Sequence, residues 1–149
     1  DTTLRLARDF ENIVGIKEAS GNLDQIATIL KHRPKDFMVI SGDDALTLPI
    51  LALGGDGVIS VVGNALPTEF ARLVEAAMAG DMPAARREHL KLLEFMTFLF
   101  VEGNPAGIKE ALKILGLCGN QLRLPLVPVS EATAKKIYHA MADAEVVKL

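Results

Sequence analysis

Three short, mainly apolar segments, each followed by a loop and an amphipathic stretch, constrain this fold more than any other feature of the chain. They are Asn12 to Lys17, Phe37 to Ser41 and Val58 to Val62. Each is too short for a helix and lacks the polar alternation of a half-solvated strand, so each reads as a strand buried on both faces. One strand per twenty-odd residues, with a helix between each pair, means parallel strands joined by right-handed crossovers. The fold class is therefore α/β. A doubly wound sheet and a closed barrel of parallel strands both cover two faces, and the pattern alone leaves that choice open.

The helices announce themselves by their caps. Asp1 is placed to cap a first helix running to about Arg8. Asn22, with Gln25 three positions on, opens a second whose Leu23, Ile26, Ala27, Ile29 and Leu30 form one apolar stripe, and Pro34 stops it. A third is expected over Ala45 to Leu53, where Pro49 is tolerable close to the first turn. A fourth starts at Pro67 and turns Phe70, Leu73, Val74, Ala77 and Met78 to one side. At Gly80 the pattern changes. Helices over Pro83 to Phe100, Pro105 to Leu115 and Glu131 to Ala144, the last capped by Ser130, follow without another strand, and a proline-broken stretch, Leu122 to Val129, links the last two. The expected division is 1–79 as a strand-bearing domain and 80–149 as a helical domain.

Composition narrows the function classes. The 149 residues carry a formal charge of -3, with lysines and arginines scattered among carboxylates, which argues against nucleic acid as a partner. No apolar run approaches the roughly 18 residues of a membrane span and no signal peptide is visible, so no membrane partner is expected and the default location is cytoplasmic. The chain begins at Asp1 rather than methionine, and the expectation is that it is a piece of something longer. Cys118 is the one cysteine, and it is expected to be a small, buried or half-buried apolar residue. His32, His89 and His139 have no ligand spacing and are expected at the surface; no metal is implied. The aromatic run Phe95, Phe98 and Phe100 reads as helix packing, and Lys135 with Lys136 as a solvated face.

In parallel α/β folds, reactive groups collect where the carboxyl ends of strands meet the following loops. Lys17, the Ser41-Gly42-Asp43-Asp44 loop and Ser60 to Asn64 all fall on that edge. Gly54-Gly55-Asp56-Gly57 leads into its strand and so lies on the opposite, structural edge. Asp43 and Asp44 could hold a divalent cation, but capping is the favoured reading. Lys17 is the candidate nucleophile. An ordinary lysine amine titrates near about 10.4 and is protonated at neutral pH, so a Schiff-base lysine needs a dry surround that disfavours its ammonium. The competing reading is a strand-end lysine that snorkels to solvent.

The string Ile13-Val14-Gly15-Ile16-Lys17-Glu18-Ala19-Ser20-Gly21-Asn22-Leu23, followed by Ser41-Gly42-Asp43-Asp44 and Gly54 to Val61, resembles the dihydrodipicolinate synthase family. Phe100 to Pro105 and Leu122 to Pro125 extend the resemblance over nearly the whole chain. N-acetylneuraminate lyases and keto-deoxy sugar-acid aldolases share the lysine strand, but Glu18 and the Gly-Asp-Asp loop look more like the synthase. The resemblance implies the last three strands of a (β/α)8 TIM barrel followed by a C-terminal helical domain, in a subunit that forms homotetramers. It implies that Lys17 forms a Schiff base with pyruvate and that the enamine attacks aspartate semialdehyde, in lysine and diaminopimelate biosynthesis. Gly42 and Ile59 match positions whose backbone lines the pyruvate pocket, and no cofactor is expected. Five strands of such a barrel have no counterpart here, nor do the family's tyrosine relay, its neighbouring threonine, its semialdehyde-binding arginine and its lysine feedback site. Tyr138, in the last helix, cannot replace the relay. A complementary N-terminal half-barrel is thus an expected partner; a sugar-acid lyase and a non-catalytic assembly half are the alternatives.

Overall fold

The computed structural model describes residues 2–148. Three parallel strands, β1 (Gly15–Glu18), β2 (Met38–Ser41) and β3 (Gly57–Val58), pair in the order β1-β2-β3. Helix α1 (Thr2–Asp9) precedes the sheet, α2 (Leu23–His32) and α3 (Thr47–Ala52) are the crossovers, and α4 (Pro67–Met78) follows a 3-10 turn at Val62–Asn64. Three more helices complete the chain: α5 (Met82–Phe98), α6 (Ala106–Ile114) and α7 (Glu131–Asp143). The caps behave as local chemistry demands. Asn22 Oδ1 accepts from the Gln25 amide at 3.0 Å, Asp81 Oδ1 from Ala84 at 3.0 Å and Ser130 Oγ from Thr133 at 3.3 Å. The cap expected of Asp1 lies outside the described residues.

Side chains sort into two cores. Leu4, Ile26, Ile29, Phe37, Val39 and Ile50 fill the space between one face of the sheet and its helices. A larger cluster runs from Val62, Phe70 and Leu73 through Leu92, Phe95 and Leu99 to Ile108, Ile137 and Met141. It draws on residues from both sides of Gly80, and α4 against α5 is its main seam.

The sheet departs from the expectation of strands covered on both faces. In β2, Val39 and Ser41 are buried while Met38 is exposed and Ile40 only half-buried. Successive strand residues point to opposite faces, so one face is packed and the other is open. The third strand is also shorter than Val58 to Val62. Its last ladder bond is Ile59 N to Ser41 O at 2.9 Å, and the chain then leaves the sheet because the Val61 and Val62 amides are taken by Asp44 Oδ2, each at 3.0 Å. Helix α3 likewise starts later than Ala45, since Asp43 O accepts both the Ser41 and Thr47 hydroxyls at 2.8 Å and holds the intervening turn out of the helix.

The Gly54-to-Gly57 connection does lie on the amino edge. Arg33 clamps it, donating to Gly54 O at 3.1 Å and to Asp56 Oδ2, which in turn accepts from the Val39 amide at 2.8 Å. Two surface expectations are corrected. Cys118 is exposed, in a turn whose residues 116–119 are all exposed. His89 is half-buried on α5, with Nδ1 shut away from solvent and without a hydrogen bond among the described residues.

Candidate active site

The register of the sheet gathers the sequence-derived site residues on one face. Lys17 pairs with Ile40, and Ile40 pairs with Gly57. Gly42 stands two residues beyond Ile40, and Ile59 two beyond Gly57. By the twofold period of a strand, Lys17, Gly42 and Ile59 therefore share the open face, at its carboxyl end. Backbone bonds lock them side by side: Gly42 N donates to Glu18 O at 2.8 Å, next to Lys17, and Ile59 N donates to Ser41 O at 2.9 Å, next to Gly42.

The lysine stem lies directly over the glycine. A Cβ on Gly42 would sit 2.7 Å from Lys17 Cε and 2.8 Å from Ala19 Cβ, so a side chain at 42 and the lysine in this position exclude each other. Glycine is needed here for space, not for an unusual backbone angle. The expectation of a dry lysine is corrected for this chain: Lys17 is exposed, because nothing among the described residues covers the open face. Ile59 is 51% exposed for the same reason.

Beside these residues is a cleft of about 420 Å³, lined by Ala19, Gly42, Asp43 and Ala45 from the strand ends and by Met96, Thr97 and Phe100 from the end of α5 and the turn after it. The aromatic run thus divides its labour: Phe95 is buried in the larger core, Phe98 is half-buried with the Lys136 ammonium 5.8 Å from its ring centre, and Phe100 is exposed at the cleft.

Two acidic residues organise this edge in ways the sequence reading missed. Glu18 is buried; its Oε1 accepts from the Ser20 amide at 2.7 Å and its Oε2 from Gln25 Nε2 at 3.2 Å, which ties the loop after β1 to the first turn of α2. Asp43 closes the turn before α3, accepting from Leu46 N at 3.2 Å, but Leu46 holds the cap position of α3 and no side chain caps that helix, so the capping expected of Asp43 and Asp44 is corrected. Asp44 instead reaches 17 residues onward to Val61, a partner no local cap rule predicts. Burial pushes the Asp44 carboxyl above its ordinary value, and the nearby Ser60 hydroxyl together with the Val62 and Val61 amides offsets only part of that. Among the described residues no three His, Cys, Asp or Glu side chains sit close enough to hold a metal ion, and no helix is long and apolar enough to cross a membrane.

Comparison with known proteins shows the family of the chain. The sequence pattern of the dihydrodipicolinate synthetase family matches residues 1–144. The chain belongs to that family. This synthetase-family chain is 54% identical over 137 residues to the 4-hydroxy-tetrahydrodipicolinate synthase of Phocaeicola vulgatus, an alignment covering 92% of this chain and 46% of the relative. Dihydrodipicolinate synthase from Thermotoga maritima superposes with a TM-score of 0.95 at 42% identity, over 98% of this chain and 50% of that one. The chloride-inhibited dihydrodipicolinate synthase of Acinetobacter baumannii, solved in complex with pyruvate, gives a TM-score of 0.93 at 35% identity, over 99% and 50%. The chain spans about half the length of the curated relatives it matches.

Proposed function

We propose that this chain supplies the Schiff-base half of a lyase that condenses pyruvate with aspartate semialdehyde in lysine and diaminopimelate biosynthesis. The observation that carries the reading is the Lys17 stem lying over Gly42, on the same open strand face as Ile59. The neutral Lys17 amine attacks the keto carbon of pyruvate, water leaves, and the protonated imine draws electrons from the adjacent C–H bond. Loss of that proton gives an enamine whose terminal carbon attacks the aldehyde. The imine nitrogen is itself the electron sink, so the step requires no cofactor.

In this reading β1 to β3 are the last three strands of a (β/α)8 TIM barrel, residues 1–79 are its barrel portion and 80–149 its helical domain. The open face is the barrel interior, and a complementary N-terminal half-barrel covers it. That cover supplies the desolvation an imine-forming lysine needs, along with the groups that relay protons and receive the second substrate's carboxylate. Complete subunits assemble as homotetramers in the cytoplasm.

Borohydride reduction of the assembled protein with pyruvate is expected to leave a covalent adduct on Lys17, read by peptide mass, and none in Lys17→Ala. An unlabelled Lys17 in protein that turns over aspartate semialdehyde sinks the proposal. A non-catalytic assembly role is the second reading, favoured by the exposure of Lys17 on this chain. Absence of both adduct and turnover after the complementary half is added would select it.

A further inference from the structure

Asp44 is only 3% exposed, and none of the ion pairs among the described residues includes it. Its Oδ2 accepts the Val61 and Val62 amides while its Oδ1 is buried with no partner among the described residues. A carboxylate placed this way is costly, since burial without a cation disfavours its charge and a half-satisfied group leaves part of that cost uncompensated. Local capping does not account for it: Asp43 already accepts from Leu46 N, and α3 takes nothing from Asp44 Oδ2. What Asp44 does join is the loop after β2, which carries Gly42, to the segment after β3, which carries Ile59.

Beyond the Ile59 amide, the segment's other hydrogen bonds run mainly within itself, while the Val62 side chain anchors its far end in the larger core. Ser60 Oγ accepts from Gly63 N at 2.8 Å and Asn64 Nδ2 donates to Val61 O at 3.0 Å. Self-contained bonds of this kind fix the shape of a turn without fixing its place against a neighbouring loop. Asp44 provides that second constraint, two and three residues past Ile59.

We propose that Asp44 is a positioning residue of the pyruvate pocket, its buried carboxylate holding the Ile59-to-Val62 backbone against the Gly42 loop so that the Ile59 backbone stands at a fixed place beside Lys17. This rests on the reading of Lys17 as the pyruvate-binding amine. The side chain touches neither substrate nor lysine; it acts through the backbone it holds.

The test is borohydride trapping in the assembled protein as a function of pyruvate concentration. Asp44→Ala is expected to raise the half-saturating pyruvate concentration by roughly tenfold or more, the scale of hydrogen bonds to a charged acceptor, while trapping at saturating pyruvate stays close to wild type. Asp44→Asn keeps one oxygen for both amides and is expected to restore half-saturation to within about threefold. Val61→Pro, at a residue whose φ of -87° lies near proline's range, removes one donor while leaving the carboxylate, and is expected to raise half-saturation a few-fold. This variant decides the matter if Asp44→Ala does not fold. Half-saturation unchanged in the folded variants overturns the inference alone, as does an equal loss of trapping at every pyruvate concentration, which marks a merely structural role. No adduct on wild-type Lys17 overturns the underlying reading and this inference with it.

Discussion

Two residues on this protein carry consequences that follow from a single contact or a single buried atom. Gly42 is the first. Alanine there meets the flexible end of the Lys17 side chain and the Ala19 methyl, and the lysine tip can swing aside. The Ala19 methyl is fixed to its backbone and cannot, so Gly42→Ala is expected to cost about 1–3 kcal/mol by thermal denaturation. Imine formation is expected to fall by roughly 100-fold, because about an ångström of misplacement is enough to do that. His89 is the second. Burial pushes its pKa below the ordinary 6.5, so the folded state favours the neutral ring. As pH falls below 6.5 the unfolded chain takes up the proton first, and stability is lost until the pH has dropped through the folded pKa. His89→Gln is expected to flatten that decline, read as the difference in denaturation midpoint between about pH 7.5 and about pH 5.5.

At the scale of elements, helix-on-helix contact decides what can be changed. Helix α6 rests on the C-terminal end of α5 through Gly107, where a Cβ would run into the Leu99 carbonyl oxygen and lie 2.7 Å from both Leu99 C and Leu99 Cα. Backbone cannot swing away as the Lys17 tip can. Gly107→Ala is thus expected to destabilise the assembled protein by about 2–3 kcal/mol, seen as a lowered denaturant midpoint, without the specific loss of trapping that Gly42→Ala produces. A second inter-element tie is Glu102, whose Oε2 accepts the Ser130 amide at 2.9 Å and whose Oε1 accepts the Ser130 hydroxyl at 2.6 Å. These bonds hold the Glu102 carboxyl below its ordinary value and seat the start of α7 on the loop after α5. Ser130 was legible as a cap from its place before Glu131; its link to a residue 28 positions earlier was not.

The whole molecule presents an unfinished surface. The outer edges of β1 and β3 have no strand partner among the described residues, and Met38 and Ile59, on the open face, are 42% and 51% exposed. Unpaired edges next to exposed apolar side chains favour association. The 16.0 kDa chain by itself is therefore expected to elute from size exclusion well above monomer mass, or to precipitate, and to become soluble when a complementary half-barrel is supplied. A stable 16.0 kDa monomer would count against that partner and against the covered lysine together.

The amino-acid sequence by itself determined the parallel α/β order, the placement of the caps at Asn22 and Ser130 and the edge on which Lys17 and Gly42 lie, because periodicity, caps and strand ends are written in neighbouring residues; the cap at Asp81 was found only in the structure. Only the tertiary structure decided that β3 is two residues long, that Asp44 reaches Val61 and Val62, and that Lys17 stands in the open. Each of these depends on which distant groups come within hydrogen-bonding or packing distance, and distance along the chain carries no record of that.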